Sequence, residues 1–148
     1  MNLEKFTEKA REIIFDTQNL AVGLGQQEID VEHLHLALIK QEDGLIPRIL
    51  KGMDVNLDEY LADFQREVER RPKIQGNVQP YITRRLNEAL IRAEESARSF
   101  KDEYISVEHI YIAVLEDKGE FTKRILNKHG VTKDEFLKHL AEVRKNQR

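Results

Sequence analysis

The chain has 148 residues, which is enough for one compact domain with a single buried core. Its 24 lysine and arginine residues nearly balance 27 aspartate and glutamate residues, and the net charge of −3 argues against a general nucleic-acid binder or a basic membrane-surface protein. Cysteine is absent, which excludes a disulfide framework, a thiolate metal site and a cysteine nucleophile. No stretch approaches the roughly 18 apolar residues of a membrane span. We therefore expect protein partners, no nucleic acid and no membrane.

The first predicted helix begins after Thr7, whose hydroxyl can accept a hydrogen bond from an unpaired N–H group and stabilise the helix by about 1 kcal/mol. A second helix follows Asp30, another favourable N-cap, and places Ala37 toward the interior. Apolar residues recur along the first helix with the period of an α-helix and mark one buried stripe: Phe6, Ala10, Ile13, Ile14, Thr17, Ala21 and Leu24.

Two further helices complete the first half of the chain. A short one covers residues 46–53, and Pro47 suits its first turn. The next opens at Asn56 and carries its own apolar stripe, which ends near Val68. Residues 71–80 contain two prolines and a glycine, which interrupt helical hydrogen bonding and predict a linker.

The second half repeats the first with a constant offset and no gap. Residues 6–64 and 82–140 share 15 identities in 59 aligned pairs, whereas unrelated sequences would share about 4. Thr83 matches Thr7, and a capping box from Thr132 opens the last helix. We predict a single all-α domain over residues 1–148, with eight helices arranged as two four-helix repeats related by a pseudo-twofold axis. Repeat one covers residues 1–70, the linker 71–80 and repeat two 81–148.

Sequence motifs of catalysis are missing. The chain has no Gly-x-x-x-x-Gly-Lys-Ser/Thr, Gly-x-Gly-x-x-Gly or Gly-x-Ser-x-Gly pattern, so we predict no nucleotide site and no enzymatic activity in this chain. His33 and His35 lie two residues apart, whereas two metal ligands on one helix face need a spacing of four. The recurrence of His33 as His109 favours a packing role. We expect neither a metal nor a cofactor.

Two repeated phrases, Ile29-Asp-Val-Glu-His-Leu34 and Ile105-Ser-Val-Glu-His-Ile110, resemble the paired Clp N-terminal repeat of the Clp/Hsp100 unfoldases. Residues 40–47, 101–109 and 143–148 resemble the ClpB branch, the ATP-dependent disaggregases, more than the ClpC or ClpA branches. The resemblance covers practically the whole chain. It implies the N-terminal domain of a cytoplasmic homohexamer, monomeric in isolation, with ATP and Mg²⁺ bound only by two AAA+ modules that would follow this sequence.

The resemblance also implies that the domain engages unfolded or aggregated polypeptide and passes it to the pore of the ring. We expect a crevice with apolar walls between the repeats, in which an extended client would bind weakly and reversibly. The alternative is that each candidate residue for this surface simply completes the core. These candidates are Leu24, Tyr81, Phe100, Tyr104 and Phe121.

Thr7, Asp102 and Glu108 match positions that the ClpB branch uses for chaperone activity. The simpler interpretation is a cap, a turn residue and a charge that complements the helix dipole. Glu32 and Thr83 repeat two of these residues and resemble the ClpC branch, whose domain docks adaptor proteins or phosphorylated-arginine tags. There a carboxylate would hold the guanidinium group, while helix-start N–H and hydroxyl groups would hold phosphate. A third hypothesis is a structural scaffold that packs on its own ring and contacts no client.

Overall fold

A computed structural model of the protein describes residues 2–77 and 79–146. Residues 1, 78, 147 and 148 lie outside this description, among them one position of the predicted linker and the end of the ClpB-like segment at 143–148. Eight α-helices occur in the described residues, which confirms the predicted fold class. They are α1 (Glu8–Gly23), α2 (Val31–Lys40), α3 (Leu45–Gly52), α4 (Leu57–Glu69), α5 (Arg84–Ser99), α6 (Val107–Leu115), α7 (Glu120–His129) and α8 (Lys133–Asn146).

The helix starts follow the internal repeat. The longer helices begin at positions that the repeat alignment makes equivalent: Glu8 and Arg84, Val31 and Val107, and Leu57 and Lys133. The shorter helices α3 and α7 begin at Leu45 and Glu120, whereas the sequence predicts helices over residues 46–53 and 122–129. The helices are therefore duplicated in order and in register, although the exact limits of the two repeats stay a prediction.

The predicted caps of the long helices are confirmed. The Thr7 hydroxyl accepts a hydrogen bond from the backbone of Ala10 at 3.2 Å, and the Thr83 hydroxyl accepts one from Leu86 at 3.1 Å. Asp30 caps α2. These interactions fix where each helix begins, because they satisfy N–H groups that have no partner within the helix.

A short parallel sheet, which the sequence did not predict, connects the two halves. Strand β1 (Glu28–Ile29) pairs with β2 (Tyr81–Ile82), and an isolated bridge joins Phe6 to Ile105. In the repeat alignment Phe6 matches Ile82 and Ile105 matches Ile29. The bridge is therefore the counterpart of the Ile29–Ile82 pair of the sheet. The segment before α1 thus pairs with the segment before α6, and the segment before α5 pairs with the segment before α2. Each repeat is held by backbone hydrogen bonds to the other.

One hydrophobic core extends through both repeats, with α2 and α6 at its centre. Residues 31–39 are buried without interruption, and in α6 only Glu108 is partly exposed. Helices that are buried on every side lie in a protein interior rather than at its surface. Ala37 and Ala113 face this interior, as predicted. Among the helices of the described residues, none has the length and hydropathy that crossing a membrane would require.

Candidate functional site

A shallow apolar seam lies between α1 and α5, with α2 beneath it. Ile14 and Leu90, which line it from the two sides, are equivalent residues of the two repeats, so the seam lies close to the pseudo-twofold axis. The enclosed volume is about 20 Å³, so the seam is a surface depression rather than a deep crevice. Its lining residues are mostly apolar: Ile14, Thr17, Gln18, Ile29, Leu34, Ile82, Leu86 and Leu90.

The seam is open to solvent at Ile82, which is one of its lining residues. Phe6 and Ile82 occupy equivalent positions, yet Phe6 is 1% exposed and Ile82 is 41% exposed. The larger phenylalanine ring is covered by the core, whereas the isoleucine side chain stands at the surface. Tyr81 is also exposed beside Ile82, and its hydroxyl donates a hydrogen bond to Glu28 at 3.3 Å. The open end therefore presents an aliphatic and an aromatic side chain to solvent.

The other apolar candidates are divided between surface and core. Tyr104 is exposed, like Tyr81. Leu24, Phe100 and Phe121 are half-buried and pack against the core. Most of the surface of these three side chains is buried against the core. Of the five candidates, only Tyr81 lies next to the seam.

Asp102 and Glu108 meet around Arg144, a residue that sequence reasoning missed. An Arg144 Nη donates to Asp102 Oδ2 at 2.6 Å and to Glu108 Oε2 at 3.1 Å. The same guanidinium group lies 4.8 Å from the centre of the Phe100 ring. Partial burial raises the pKa of Asp102, but the hydrogen bonds from Arg144 and His109 outweigh this effect and hold the pKa below its ordinary value. The predicted residues Phe100, Asp102 and Glu108 thus form one cluster.

Glu32 lies in a second and more buried cluster. Its side chain is 1% exposed, and its oxygens lie 2.8 Å from Arg71 and 3.0 Å from Arg85. Arg85 also contacts Asp117 at 2.6 Å, and both arginines contact Asp30. The network connects α2, the start of the linker, α5 and the turn after α6. Burial alone would raise the pKa of Asp117, and the Arg85 contact lowers it below its ordinary value.

Glu32 and Glu108 therefore already bind guanidinium groups, which belong to this chain. A phosphorylated-arginine tag would have to displace Arg71 and Arg85 from Glu32, or Arg144 from Glu108. The tag hypothesis also assigns phosphate binding to hydroxyl groups at helix starts. One of these, the Thr83 hydroxyl, already donates a hydrogen bond to Asp30 at 2.8 Å while it caps α5.

The packing role predicted for His33 and His109 is confirmed. Nδ1 of each ring accepts a hydrogen bond at 2.9 Å from the backbone N–H of its own helix N-cap. Nε2 contacts Gln26 at 2.6 Å in repeat one and the equivalent Asp102 at 2.7 Å in repeat two. Each histidine takes the place that glutamate has in a standard capping box. Residues 2–77 and 79–146 contain no group of three or more histidine, aspartate or glutamate side chains that could hold a metal ion.

A buried polar triad, also missed by sequence reasoning, lies at the centre of the domain. His35 Nε2 lies 2.9 Å from the Tyr60 hydroxyl and 3.0 Å from the Tyr111 hydroxyl, and the two hydroxyls are 2.9 Å apart. His35 and Tyr111 are equivalent residues, so the triad joins the repeats. Complete burial lowers the pKa of His35 to about 3, and the imidazole is neutral.

Comparison with known proteins assigns the family. A sequence model described as the Clp repeat (R) N-terminal domain matches residues 5–143. The chain is 42% identical over 153 aligned positions to a chaperone protein ClpB of Clostridium perfringens, and the alignment covers 100% of this chain and 18% of the relative. It thus spans about a fifth of the length of that relative.

Solved structures show the same fold. The Hsp104 N-terminal domain from Candida albicans superposes with a TM-score of 0.81 at 22% identity, over 97% of this chain and 94% of that chain. A ClpV N-domain in complex with a VipB peptide superposes with a TM-score of 0.74 at 14% identity, over 94% of this chain and 86% of that chain.

The chain belongs to the Clp N-terminal repeat family. Within that family it is an N-terminal domain of the ClpB-like Hsp100 chaperones.

Proposed function

We propose that the domain binds unfolded or aggregated polypeptide at the seam between α1 and α5 and delivers it to an ATP-dependent disaggregase ring. The observation that carries this proposal is the exposure of Ile82 at the open end of the seam, where its counterpart Phe6 is buried. An extended chain can cover Ile82 and Tyr81 with its own apolar side chains. Because the depression is shallow, binding is weak and the client can leave again.

The relatives support contact with polypeptide. The ClpB relative is named a chaperone, and a ClpV N-domain of the same fold was solved with a peptide. By this likeness, we propose a cytoplasmic homohexameric parent whose ATP-binding modules lie outside this sequence, with adaptor proteins as further partners. The domain itself supplies binding and no chemistry.

The arginine-tag hypothesis has one supporting observation, which is that Glu32 and Glu108 both hold guanidinium groups. It is a weaker proposal, because those groups come from the same chain and Glu32 is buried. Free phosphoarginine tests it. Saturable amide shifts near Glu32 and Glu108 that disappear in Glu→Ala variants would support the tag hypothesis. The absence of such shifts would favour client binding at the seam. The scaffold hypothesis does not account for the exposed apolar side chains of Ile82 and Tyr81 at the seam.

The experiment is an amide chemical-shift titration of the labelled domain with an unfolded, casein-like polypeptide and, separately, with a native globular protein. We expect shifts at Ile14, Ile82 and Leu90 with the unfolded polypeptide only. If neither protein shifts these residues, or if both shift them equally, the domain does not select unfolded clients at the seam and the scaffold hypothesis gains support.

A further inference from the structure

A wide polar groove lies on the opposite side of α1 from the seam, between α1 and the turn that connects α2 to α3. Its volume is about 640 Å³, which is in the range that holds a small ligand or a few peptide residues. Seam residues and groove residues alternate along α1 and face opposite directions, since successive helical residues are rotated by about 100°. The groove is therefore separate from the proposed client surface.

The charge in the groove is unbalanced. Four carboxylates line it, from Glu12, Asp16, Glu42 and Asp43, against the ammonium groups of Lys9 and Lys40. The C-terminal end of α2 also lies at the groove, and the carbonyl groups at a helix C-terminus carry a partial negative charge. Both sources of negative potential favour a cationic occupant.

The second repeat shows which cation fits. The repeat alignment places Arg92 where repeat one has Asp16, and Ala113 where repeat one has Ala37. An Arg92 Nη donates a hydrogen bond to the Ala113 carbonyl at 2.9 Å. In repeat two, a guanidinium group thus crosses from the long first helix to the end of the central helix.

A second arginine closes the same region of repeat two. Arg85 reaches Asp117 in the turn after α6 at 2.6 Å. The residue equivalent to Arg85 is Lys9, whose side chain is 64% exposed and whose ammonium group lies 3.5 Å from Glu12. Repeat one therefore lacks both arginines and keeps the Ala37 carbonyl. Gln41 stands where repeat two has Asp117, and its amide donates a hydrogen bond to the Lys9 carbonyl at 3.3 Å.

We propose that this groove binds an arginine side chain of a partner polypeptide, with the guanidinium group between the Asp16 carboxylate and the carbonyl groups at the end of α2. Arginine suits the site better than lysine, because its planar donors can serve a carboxylate and a carbonyl at once. In repeat two, Arg92 fills the equivalent site from within the chain. In repeat one, the site is open to a second molecule.

The probe is a blocked tripeptide with a central arginine, compared with its citrulline and lysine analogues. Amide shifts of Asp16, Lys40 and Asp43 should saturate with the arginine peptide, and the affinity for the citrulline peptide should be about tenfold lower, since the charge-assisted bonds are lost. The seam residues should not shift, so this test and that of the proposed function fail independently.

Variants provide the controls. Asp16→Arg should abolish peptide binding, because it supplies the guanidinium group from within, and Asp16→Asn should weaken binding several-fold without a change of shape. Glu142→Arg, the same charge reversal at an exposed position of α8, should leave binding unchanged. Equal shifts with the citrulline peptide, unchanged binding by Asp16→Arg, or no saturation up to about 20 mM peptide would overturn the proposal.

Discussion

At His35, burial determines both the protonation state and the way stability depends on pH. The ring stacks on Phe64 with 4.0 Å between ring centres and has no contact with water. Burial lowers its pKa to about 3, and the charge of Asp117 opposes this only in part. An unfolded histidine has a pKa of about 6.5. The unfolded chain therefore holds one more proton at this residue between about pH 3 and about pH 6.5, and stability decreases as the pH falls through that window.

Replacing His35 with phenylalanine should remove the contribution of this proton to the pH dependence of the unfolding free energy. The slope of the unfolding free energy between about pH 4.5 and about pH 6 should decrease by about 1.4 kcal/mol per pH unit. Some slope should remain, because burial also lowers the pKa of His33. The hydroxyls of Tyr60 and Tyr111 can still bond to each other at 2.9 Å. Urea denaturation at a series of pH values measures the slope, and an unchanged slope would contradict a neutral, buried His35.

Glu32 and Glu108 have equivalent positions but different environments, and they should respond differently to Glu→Gln substitution. Glu32 is 1% exposed and faces two arginines, whereas Glu108 is 13% exposed and, within residues 2–77 and 79–146, pairs with Arg144 alone. Glu32→Gln removes a buried carboxylate from two partly exposed arginines, which keep Asp30 as a partner, and should cost about 2 kcal/mol of unfolding free energy. Glu108→Gln should cost about 1 kcal/mol. Equal losses in urea denaturation would contradict the greater importance assigned to the Glu32 network.

At the scale of elements, α2 and α6 are equivalent in sequence but not in their surroundings. Ala113 is fully enclosed, whereas Ala37 lies at the base of the polar groove. Ala113→Leu should overpack the core and cost about 1 to 3 kcal/mol, and Ala37→Leu should cost less because its side chain can extend into the groove. Thermal and urea unfolding of the two variants measures the difference. A larger loss for Ala37→Leu would show that the groove is not open at its base.

The helices and their caps could be predicted from the sequence because both depend on near neighbours. Thr7 and Thr83 each act within three residues, and the apolar stripes follow a local period. The parallel sheet could not be predicted, because two-residue strands are too short to show alternation. Arg71 and Arg144 were missed for another reason: they bind carboxylates that lie 41 and 36 residues away along the chain, and charge alone does not identify such pairs.

At the scale of the whole molecule, the two repeats form one interlocked unit. The strand pairs exchange backbone bonds between the repeats, the His35 triad joins their centres, and the Glu32 network connects α2 to α5. Exact duplication would have produced a symmetric surface. Differences at a few equivalent positions, such as Phe6 and Ile82 or Asp16 and Arg92, instead open one end of the seam and one of two grooves. The sequence contained these differences, but their effect on exposure appeared only in the fold.

The most direct test of the central claim is the affinity of a labelled, permanently unfolded polypeptide for two matched variants, Ile82→Thr at the seam and Ile74→Thr on the linker. Both isoleucines are 41% exposed, so the substitutions remove similar apolar surface. Fluorescence anisotropy should show about fivefold weaker binding for Ile82→Thr, which corresponds to about 1 kcal/mol of lost contact, and unchanged binding for Ile74→Thr. Equal affinities for the two variants, or a loss confined to Ile74→Thr, would contradict client binding at the seam.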